Sequence, residues 1–485
     1  MLLFIILSSV VIHLVGMTAG NLLVEEAYYW NYSQHLDFGY LDHPPMVAVL
    51  IKLFTSLLGT NEFTVRLASL ICWLITMLYS FKLSELMNNG SGKYSILLLS
   101  VLPFFFFQSI IITPDSPLLA CWSSSLYYLY SALVLKRAKH WYLVGICMGL
   151  GLLSKYTIVL LSLPIFSYML ISSDARFWFK KKEPYLAALI VILLFTPVIY
   201  WNAIHQWISF TFQSVRRFEN TGVSGTLELL WVSVFFLTPL GVWEVGQLFI
   251  NKPLLSPIGN EKTVFVKCFT IIPWVFFFLY SFNHEINLNW IGPLFLGVIP
   301  WVAHVMDRSY KNRIYWFCTF LVLLVAYTSV FLLIRFNQSS LVQQKLLVKM
   351  IDWDKLVLQF DELAEQTAKS MRKEVVFIPL DNYPINSELA YYQEQLYKQG
   401  KVKHKYPSSG AHLFNRESLM YRYWSKNQTI AGKAIILLSK ERWRFDDQEV
   451  ISRVNDLSPL GQVWSSGQGK HLKNIPYFYK VVELK

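Results

Sequence analysis

The sequence predicts a mainly α-helical, multi-spanning membrane bundle followed by a small soluble α/β domain. Of the 485 residues, 54% are apolar and only 15% are charged, whereas soluble chains average about 25% charged. The apolar residues come in blocks of roughly 17 to 25, which match a bilayer core about 30 Å thick. The last 150 residues lose this pattern. The mean hydropathy of +0.39 argues against a simple soluble enzyme.

The apolar blocks predict about eleven membrane spans in residues 1–335. The first is expected to be a retained span rather than a signal peptide, because no basic residue precedes it. With the N-terminus inside, Lys and Arg gather in every second loop, which makes those loops cytoplasmic and the tail extracytoplasmic. The predicted spans are residues 2–19, 67–87, 95–112, 117–135, 141–154, 157–172, 186–201, 226–250, 263–282, 291–306 and 314–335.

The tail, residues 336–485, is predicted to form the soluble domain. Short β-like runs occur at Val375–Ile378 and Ala434–Leu438, and a helical stretch occurs at Ser387–Gln399. Such alternation is typical of an α/β domain.

Charge and cysteine content exclude several functions. The net charge of +12 is explained by basic cytoplasmic loops, because no basic patch alternates with aromatic residues as single-strand nucleic-acid binding requires. The five cysteines have neither metal-ligand nor disulfide spacing and are interpreted as core residues. The sequence contains no Walker loop and no complete GxGxxG motif, which disfavours ATP-driven transport.

The first external loop, residues 21–66, combines paired carboxylates with aromatic residues and a Pro-Pro turn. Neighbours on a helix diverge by about 100°, so one of Glu25 and Glu26 can face a cleft while the other packs or caps. Tyr28 and Tyr29 suit sugar stacking or a membrane-interface belt. The alternative interpretation is a solvated acidic loop. Asp42 and His43 precede the Pro-Pro turn.

The second external loop places Asp115 between two prolines at a span boundary. An ionisable group there is costly unless it lines a polar cavity. The alternative is a helix N-cap, with Asp115 or Ser116 preceding Pro117 at the first helical position.

Four basic residues lie on the otherwise acidic external side: Arg66, Lys155, Arg216 and Arg217. Such cations suit a phosphate group. The alternative is that each side chain extends towards the lipid headgroups.

The last external loop brings His284, Glu285 and Asn289 together with Trp290. This density of polar groups beside an aromatic ring suits carbohydrate recognition, and the alternative is a polar interfacial hairpin. His43, His205 and His284 are all predicted to be external, so a divalent metal is conceivable. No His-x-x-x-His pattern supports one, and no metal ligand is assigned.

The stretch EEAYYWNYSQHLDFGYLDHPPMVAVLIKLF…NEFTVR, from Glu25 to Arg66, resembles the first external loop of polyprenyl-phosphate-sugar-dependent glycosyltransferases of the GT-C membrane fold. This superfamily includes the protein O-mannosyltransferases and the aminoarabinose transferases that act on lipid A, and the likeness is to its bacterial branch. Further matching segments are TPDSPL at 113–118, GLLSKYT at 151–157, HEINLNW at 284–290, SELAYY at 387–392 and YRYW at 421–424.

The resemblance implies transfer of a sugar from a polyprenyl (undecaprenyl) phosphate on the periplasmic face of the bacterial inner membrane, with inversion. The family usually begins its loop motif with a catalytic Asp followed by Glu, and Glu25 stands at that Asp position here. Glu25 is therefore the favoured base, while Glu26 stays a candidate and Glu26 or Asp115 would orient the acceptor. Lys155 and Arg66, with Arg216 or Arg217, would neutralise the leaving phosphate. Asp42 and His43 would shape the loop or contact the sugar.

The acceptor is expected to be lipid A or lipopolysaccharide core, and a protein hydroxyl is the second choice. No cofactor is required, although the chemistry permits a divalent metal. A transporter or flippase for a lipid-linked sugar is a rival interpretation. It predicts charges midway along spans or broken helices in paired repeats, and the sequence indicates neither. The second rival, a non-catalytic scaffold, leaves the acidic first loop unexplained.

Overall fold

The computed structural model describes residues 2–18, 20–219, 225–250, 260–336, 352–426, 429–465 and 475–485. The chain divides into two compact units. The first unit comprises Met1–Met17, Asp37–Leu50 and Arg66–Thr328. The second comprises Thr18–Leu36, Ile51–Val65 and Ser329–Lys485. The sequence predicts a single boundary at residue 335, whereas two pieces of the predicted first external loop group with the tail.

Fifteen helices are described in residues 2–336. Their bounds are α1 Leu2–Thr18, α2 Val24–Gln34, α3 Met46–Leu58, α4 Glu62–Met87, α5 Gly92–Val101, α6 Pro103–Ile110, α7 Asp115–Leu133, α8 His140–Leu152, α9 Ser162–Ile171, α10 Glu183–Ile204, α11 Ile208–Glu219, α12 Gly225–Gln247, α13 Asn260–Tyr280, α14 Ile299–Arg308 and α15 Tyr310–Phe336. Short 3₁₀ turns include Tyr156–Leu161, Arg176–Lys180, Leu288–Trp290 and Gly292–Gly297.

All eleven predicted spans are helical in the structure. By length and composition, five single helices in the described residues can cross a membrane, or seven if each of two bent pairs counts as one span. The remaining predicted spans are shorter or more polar helices, so the count of eleven stays a prediction. The first external loop is itself largely helical, because α2 and α3 occupy much of it.

Two spans are bent, contrary to the expectation of unbroken helices. Helices α5 and α6 meet at 69°, and the segment Leu288–Gly297 meets α14 at 51°. The first break has a local cause: Leu102 precedes Pro103 and takes an extended ψ of 134°, since the proline ring disfavours helical backbone in the residue before it. Pro300 likewise stands in the first turn of α14.

Helix α8 packs against both α7 and α10 in the first unit. Gly145 permits the close approach to α10, because a Cβ atom there would lie 2.7 Å from the carbonyl oxygen of Ala187. Just beyond the end of α8, the Ser154 hydroxyl bonds the carbonyl of Pro114, which immediately precedes α7.

The second unit contains a five-stranded sheet: β1 Val375–Pro379, β2 Ala434–Ser439, β3 Val454–Asp456, β4 Gly461–Ser465 and β5 Ile475–Leu484. Strands β1 and β2 are parallel, with Val375 opposite Ala434. Strand β5 runs antiparallel to β2, β3 and β4. Helices α16 (Trp353–Met371) and α17 (Pro384–Lys398) flank the sheet. The predicted α/β character of the tail is confirmed.

The core of the second unit lies against one face of the sheet. Val376, Ile378, Ile435, Leu437 and Val482 belong to one buried apolar cluster. Helix α2 packs on α17 within this unit. The side-chain amide of Asn31 donates to the carbonyl of Ser387 at 3.2 Å, and the backbone N–H of Leu22 donates to the Tyr392 hydroxyl at 2.9 Å.

Candidate functional site

The first unit holds a polar cluster in which Asp115 and Lys155 are buried and Asn289 is exposed. Lys155 Nζ donates to Asp115 Oδ1 at 2.7 Å, and Asn289 Nδ2 donates to Asp115 Oδ2 at 2.8 Å. The side chains of Lys155 and Asp115 are only 4% and 1% exposed. Both carboxylate oxygens are thus bonded, which stabilises the charged pair in an apolar surrounding.

The backbone around Lys155 is fixed by the end of α8. The Lys155 N–H donates to the carbonyl of Gly151 at 2.8 Å, while the Ser154 hydroxyl donates to the carbonyl of Pro114 at 2.6 Å. These bonds join the two segments that carry the ion pair. The N-cap interpretation of Asp115 is wrong, since Pro114 is the N-cap of α7 and no side-chain capping bond forms there. Burial of Lys155 also argues against its extension to the headgroups.

The Pro-Pro turn lies beside this cluster in the same unit. The Met46 N–H donates to the carbonyl of Leu153 at 2.9 Å, two residues before Lys155. The side-chain amide of Gln213 donates to the carbonyl of Asp42. Asp42 is buried and His43 is half-buried. The expectation that these residues shape the loop is consistent with these contacts.

The other predicted cations and polar residues of this unit have separate positions. Arg66 is 4% exposed, and its Nη1 donates to the carbonyl of Met17 at 3.0 Å. The side chains of Arg216 and Arg217 lie outside the described part of the chain. The His284 ring packs on Tyr280, with ring centroids 4.6 Å apart, and Glu285 is exposed.

In the second unit, Glu25 and Glu26 point in different directions from the first turn of α2. Glu26 is fully buried, and its Oε2 accepts the N–H of Leu23 at 2.9 Å, which caps the helix. Glu25 is exposed and lines a cavity. This is the division expected from their spacing, with Glu26 in the capping position.

Tyr28 and Tyr29 do not offer exposed rings for sugar stacking, since only 2% and 7% of their surfaces are accessible. The Tyr28 ring packs 4.8 Å from that of Tyr383 and 6.3 Å from that of Trp424. Tyr29 packs edge-on against Tyr32. The expectation of a stacking surface is corrected here: both rings build the interior of the second unit.

The cavity beside Glu25 also contains Asp381, which sequence analysis misses. Asp381 Oδ2 accepts the Ile385 N–H at 2.8 Å. Its Oδ1 is inaccessible to solvent and has no hydrogen-bond partner in another described residue. Burial raises the pKa of Asp381 to about 7, although the Ile385 N–H and the Arg444 charge oppose the shift.

The raised pKa of Asp381 predicts a pH-dependent stability. The folded state retains the proton more tightly than the unfolded state, so this contribution is complete below the ordinary pKa near 4 and is lost as pH rises through about 7. Relative to Asp381→Asn, the wild-type protein should lose on the order of 2 kcal/mol between about pH 5 and about pH 8. Thermal unfolding of both proteins across that range measures the difference. Parallel pH profiles would contradict it.

The comparisons with known proteins agree with this architecture. The crystal structure of ArnT from Cupriavidus metallidurans bound to undecaprenyl phosphate superposes with a TM-score of 0.65 at 12% identity, covering 99% of this chain and 97% of that one. The apo state of the same protein gives a TM-score of 0.64 at 13% identity, with the same coverage. Residues 42–201 match the family model of dolichyl-phosphate-mannose-protein mannosyltransferases.

The chain therefore has the ArnT-like fold. The range that the family model matches includes Asp42, His43, Arg66, Asp115 and Lys155. A curated relative, lipid A galacturonosyltransferase RgtD of Rhizobium johnstonii, is 26% identical over 200 residues, which are 40% of this chain and 41% of that protein. The alignment thus spans less than half of either protein.

Two further features of the chain could not be predicted from the sequence. Glu244 in α12 is buried, and the Trp301 indole N–H donates to its backbone carbonyl at 2.9 Å. A single Glu near the end of an apolar block gives little warning of burial. The cavity around Asp381 depends on the parallel pairing of distant strands.

Within the described ranges, no group of three or more His, Cys, Asp or Glu side chains is arranged to hold a metal ion.

Proposed function

We propose that the protein is an integral membrane glycosyltransferase that transfers a sugar from a polyprenyl phosphate to lipid A or lipopolysaccharide core. The observation that carries this proposal is the buried Asp115–Lys155 ion pair, with Asn289 bonded to Asp115, inside an ArnT-like fold. A charged pair in a membrane bundle is costly and usually functional. Two similar proteins, a lipid A galacturonosyltransferase and an ArnT bound to undecaprenyl phosphate, support the donor and acceptor classes.

Glu25 is the proposed general base, because Glu26 is engaged in capping its own helix. An acceptor hydroxyl attacks the anomeric carbon, and its proton passes to the Glu25 carboxylate as the new bond forms. The bond between the anomeric carbon and the phosphate oxygen breaks, and its electron pair leaves with the lipid phosphate. A single displacement of this kind inverts the anomeric centre.

Lys155 is the proposed cation for the leaving phosphate. A preorganised positive charge in a site of low dielectric stabilises the charge that develops on the leaving oxygen. Asp115 positions the ammonium group of Lys155, and Asn289 positions the Asp115 carboxylate. Arg66, Arg216 and Arg217 are proposed as supporting cations. The hexosyl or pentosyl donor would be met on the periplasmic face of the bacterial inner membrane, where the soluble tail would also lie.

The proposal is tested by mass spectrometry of lipid A and core from cells that contain or lack this chain. A mass corresponding to one sugar should disappear in the deletion, return with the wild-type chain, and fail to return with Glu25→Gln. That pattern would also give the sugar's mass. An unchanged lipid profile in the deletion would contradict the lipid acceptor.

The second candidate is a protein O-glycosyltransferase of the O-mannosyl type. The match of residues 42–201 to dolichyl-phosphate-mannose-protein mannosyltransferases, in which protein is the mannose acceptor, favours this candidate. Glycoproteins from the same cells provide the discriminating measurement: loss of a protein-linked sugar with intact lipid A would favour this candidate. The two bent spans are the observation that favours a flippase for a lipid-linked sugar. Lipid and glycoprotein profiles that the deletion leaves unchanged would favour that activity.

A further inference from the structure

The cavity that contains Glu25 opens at a topologically special edge of the sheet. Strands β1 and β2 are parallel neighbours, so their carboxyl ends lie at the same edge. Asp381 follows β1 and Lys440 follows β2, and both line the cavity. Ligands of parallel α/β sheets characteristically bind at the carboxyl ends of the strands. We name this space, lined by Glu25, Trp353, Asp381, Tyr383, Lys440 and Tyr477, the sheet-edge cavity.

The size and walls of the sheet-edge cavity suit a small polar ring. Its volume is about 360 Å³, within the range of small-ligand sites, which are lined by aromatic groups with a few placed polar ones. Trp353, Tyr383 and Tyr477 supply aromatic surface, while Glu25 and Lys440 supply charges. Carboxyl groups can bond the hydroxyls of a sugar, while neighbouring aromatic rings cover its apolar faces.

Asp381 lines the cavity with a carboxyl group whose Oδ1 is buried, so a ligand hydroxyl reaches this oxygen only after a small movement of the side chain. One oxygen is bonded to the Ile385 N–H, and the other has no partner in another described residue. The nearby Arg444 is already engaged, since its Nε donates to Glu441 at 2.6 Å and its Nη1 donates to the carbonyl of Leu380 at 2.8 Å. With its pKa raised to about 7 by burial, the Asp381 carboxyl can either accept or donate a bond to a hydroxyl.

We propose that the sheet-edge cavity binds a pyranose ring of one of the substrates, with Asp381 hydrogen-bonded to a ring hydroxyl beside Glu25. This inference rests on the proposed glycosyltransferase function and adds a carbohydrate-recognition site in the soluble unit. The ring can come from the donor sugar or from the sugar backbone of the acceptor. Both sources share the same chemistry.

Saturation-transfer NMR on the full-length protein in detergent tests this binding. The probes are methyl galactopyranosiduronate, methyl mannopyranoside and methyl glucosaminide. At least one should receive saturation from the wild-type protein, and its binding should weaken at least tenfold in Asp381→Asn. A response to the glucosaminide alone would identify an acceptor ring, and a response to the uronate or mannoside would identify a donor ring.

Matched variants keep the test decisive. Asp361→Asn removes a similar half-buried carboxyl of α16 that lies outside the cavity, so it should bind as the wild type does. Asn382→Trp adds bulk to the cavity wall and should also block binding. This variant provides the test if Asp381→Asn folds poorly. Probe binding by the wild-type protein, together with a lipid A and glycoprotein profile that the deletion leaves unchanged, would support this inference and contradict the proposed function. Absence of binding by all three probes, or unchanged binding in folded Asp381→Asn, would overturn the inference.

Discussion

Lys155→Met is expected to abolish sugar transfer, with a loss of at least about 100-fold, and also to destabilise the protein. The substitution leaves the Asp115 carboxylate buried without its cation. Removing one partner of a buried ion pair typically costs about 3 to 5 kcal/mol. Transfer measured in membranes at equal protein levels, together with thermal unfolding of the purified protein, separates the two effects.

The double variant Asp115→Asn with Lys155→Met serves as the control. It removes both charges, so most of the lost stability should return, while transfer should remain absent because no cation faces the leaving phosphate. Asn289→Ala retains the ion pair and removes one bond to Asp115, and a smaller loss is expected. If the double variant recovers wild-type transfer, the ion pair has a structural role alone.

Glu25→Gln is expected to reduce transfer by about 100- to 10,000-fold with no change in stability. The Glu25 side chain is exposed, and the amide retains its size while losing the ability to accept a proton. Glu26→Ala should show the opposite pattern. Loss of the bond to the Leu23 N–H should lower the free energy of unfolding by about 0.5 to 2 kcal/mol, with transfer per folded molecule largely retained.

Glu25→Asp provides a rescue test for the base assignment. It restores a carboxylate that is one methylene shorter, and partial recovery of transfer relative to Glu25→Gln is expected. Single-turnover rates with a radiolabelled donor measure the chemical step directly. Two results would assign the base to Glu26 instead. One is a near-normal transfer rate in Glu25→Gln, and the other is a decrease in transfer in Glu26→Ala that is larger than the decrease in its folded fraction.

The sequence is most informative where composition and periodicity act locally. Long apolar blocks predict helices because a bilayer demands them, and β1, β2 and α17 follow from short patterned runs. The charged residues of the polar cluster can also be picked out from the sequence, because ionisable residues are rare within membrane-spanning segments. Their meeting is not visible, because Lys155 and Asn289 are 40 and 174 residues from Asp115.

Features created by long-range pairing escape the sequence. Tyr28 and Asp381 illustrate the problem: the first is buried by side chains from the tail, and the second lies at the edge of two strands separated by a helix. An aromatic or acidic residue in a loop carries no record of such neighbours. The break at Pro103, by contrast, has a local signal in the proline itself.

Helix α2 is synthesised long before α17, the helix on which it packs. Asn31 leaves the ribosome 356 residues before Ser387, its hydrogen-bond partner. At about 5 to 20 residues per second, this separation corresponds to roughly 20 to 70 seconds. Throughout that interval α2 has to stay soluble without α17 to pack against. A ribosome that stalls before Ser387 would therefore release a nascent chain whose first polar helix exposes unburied aromatic rings, a natural substrate for quality-control proteases.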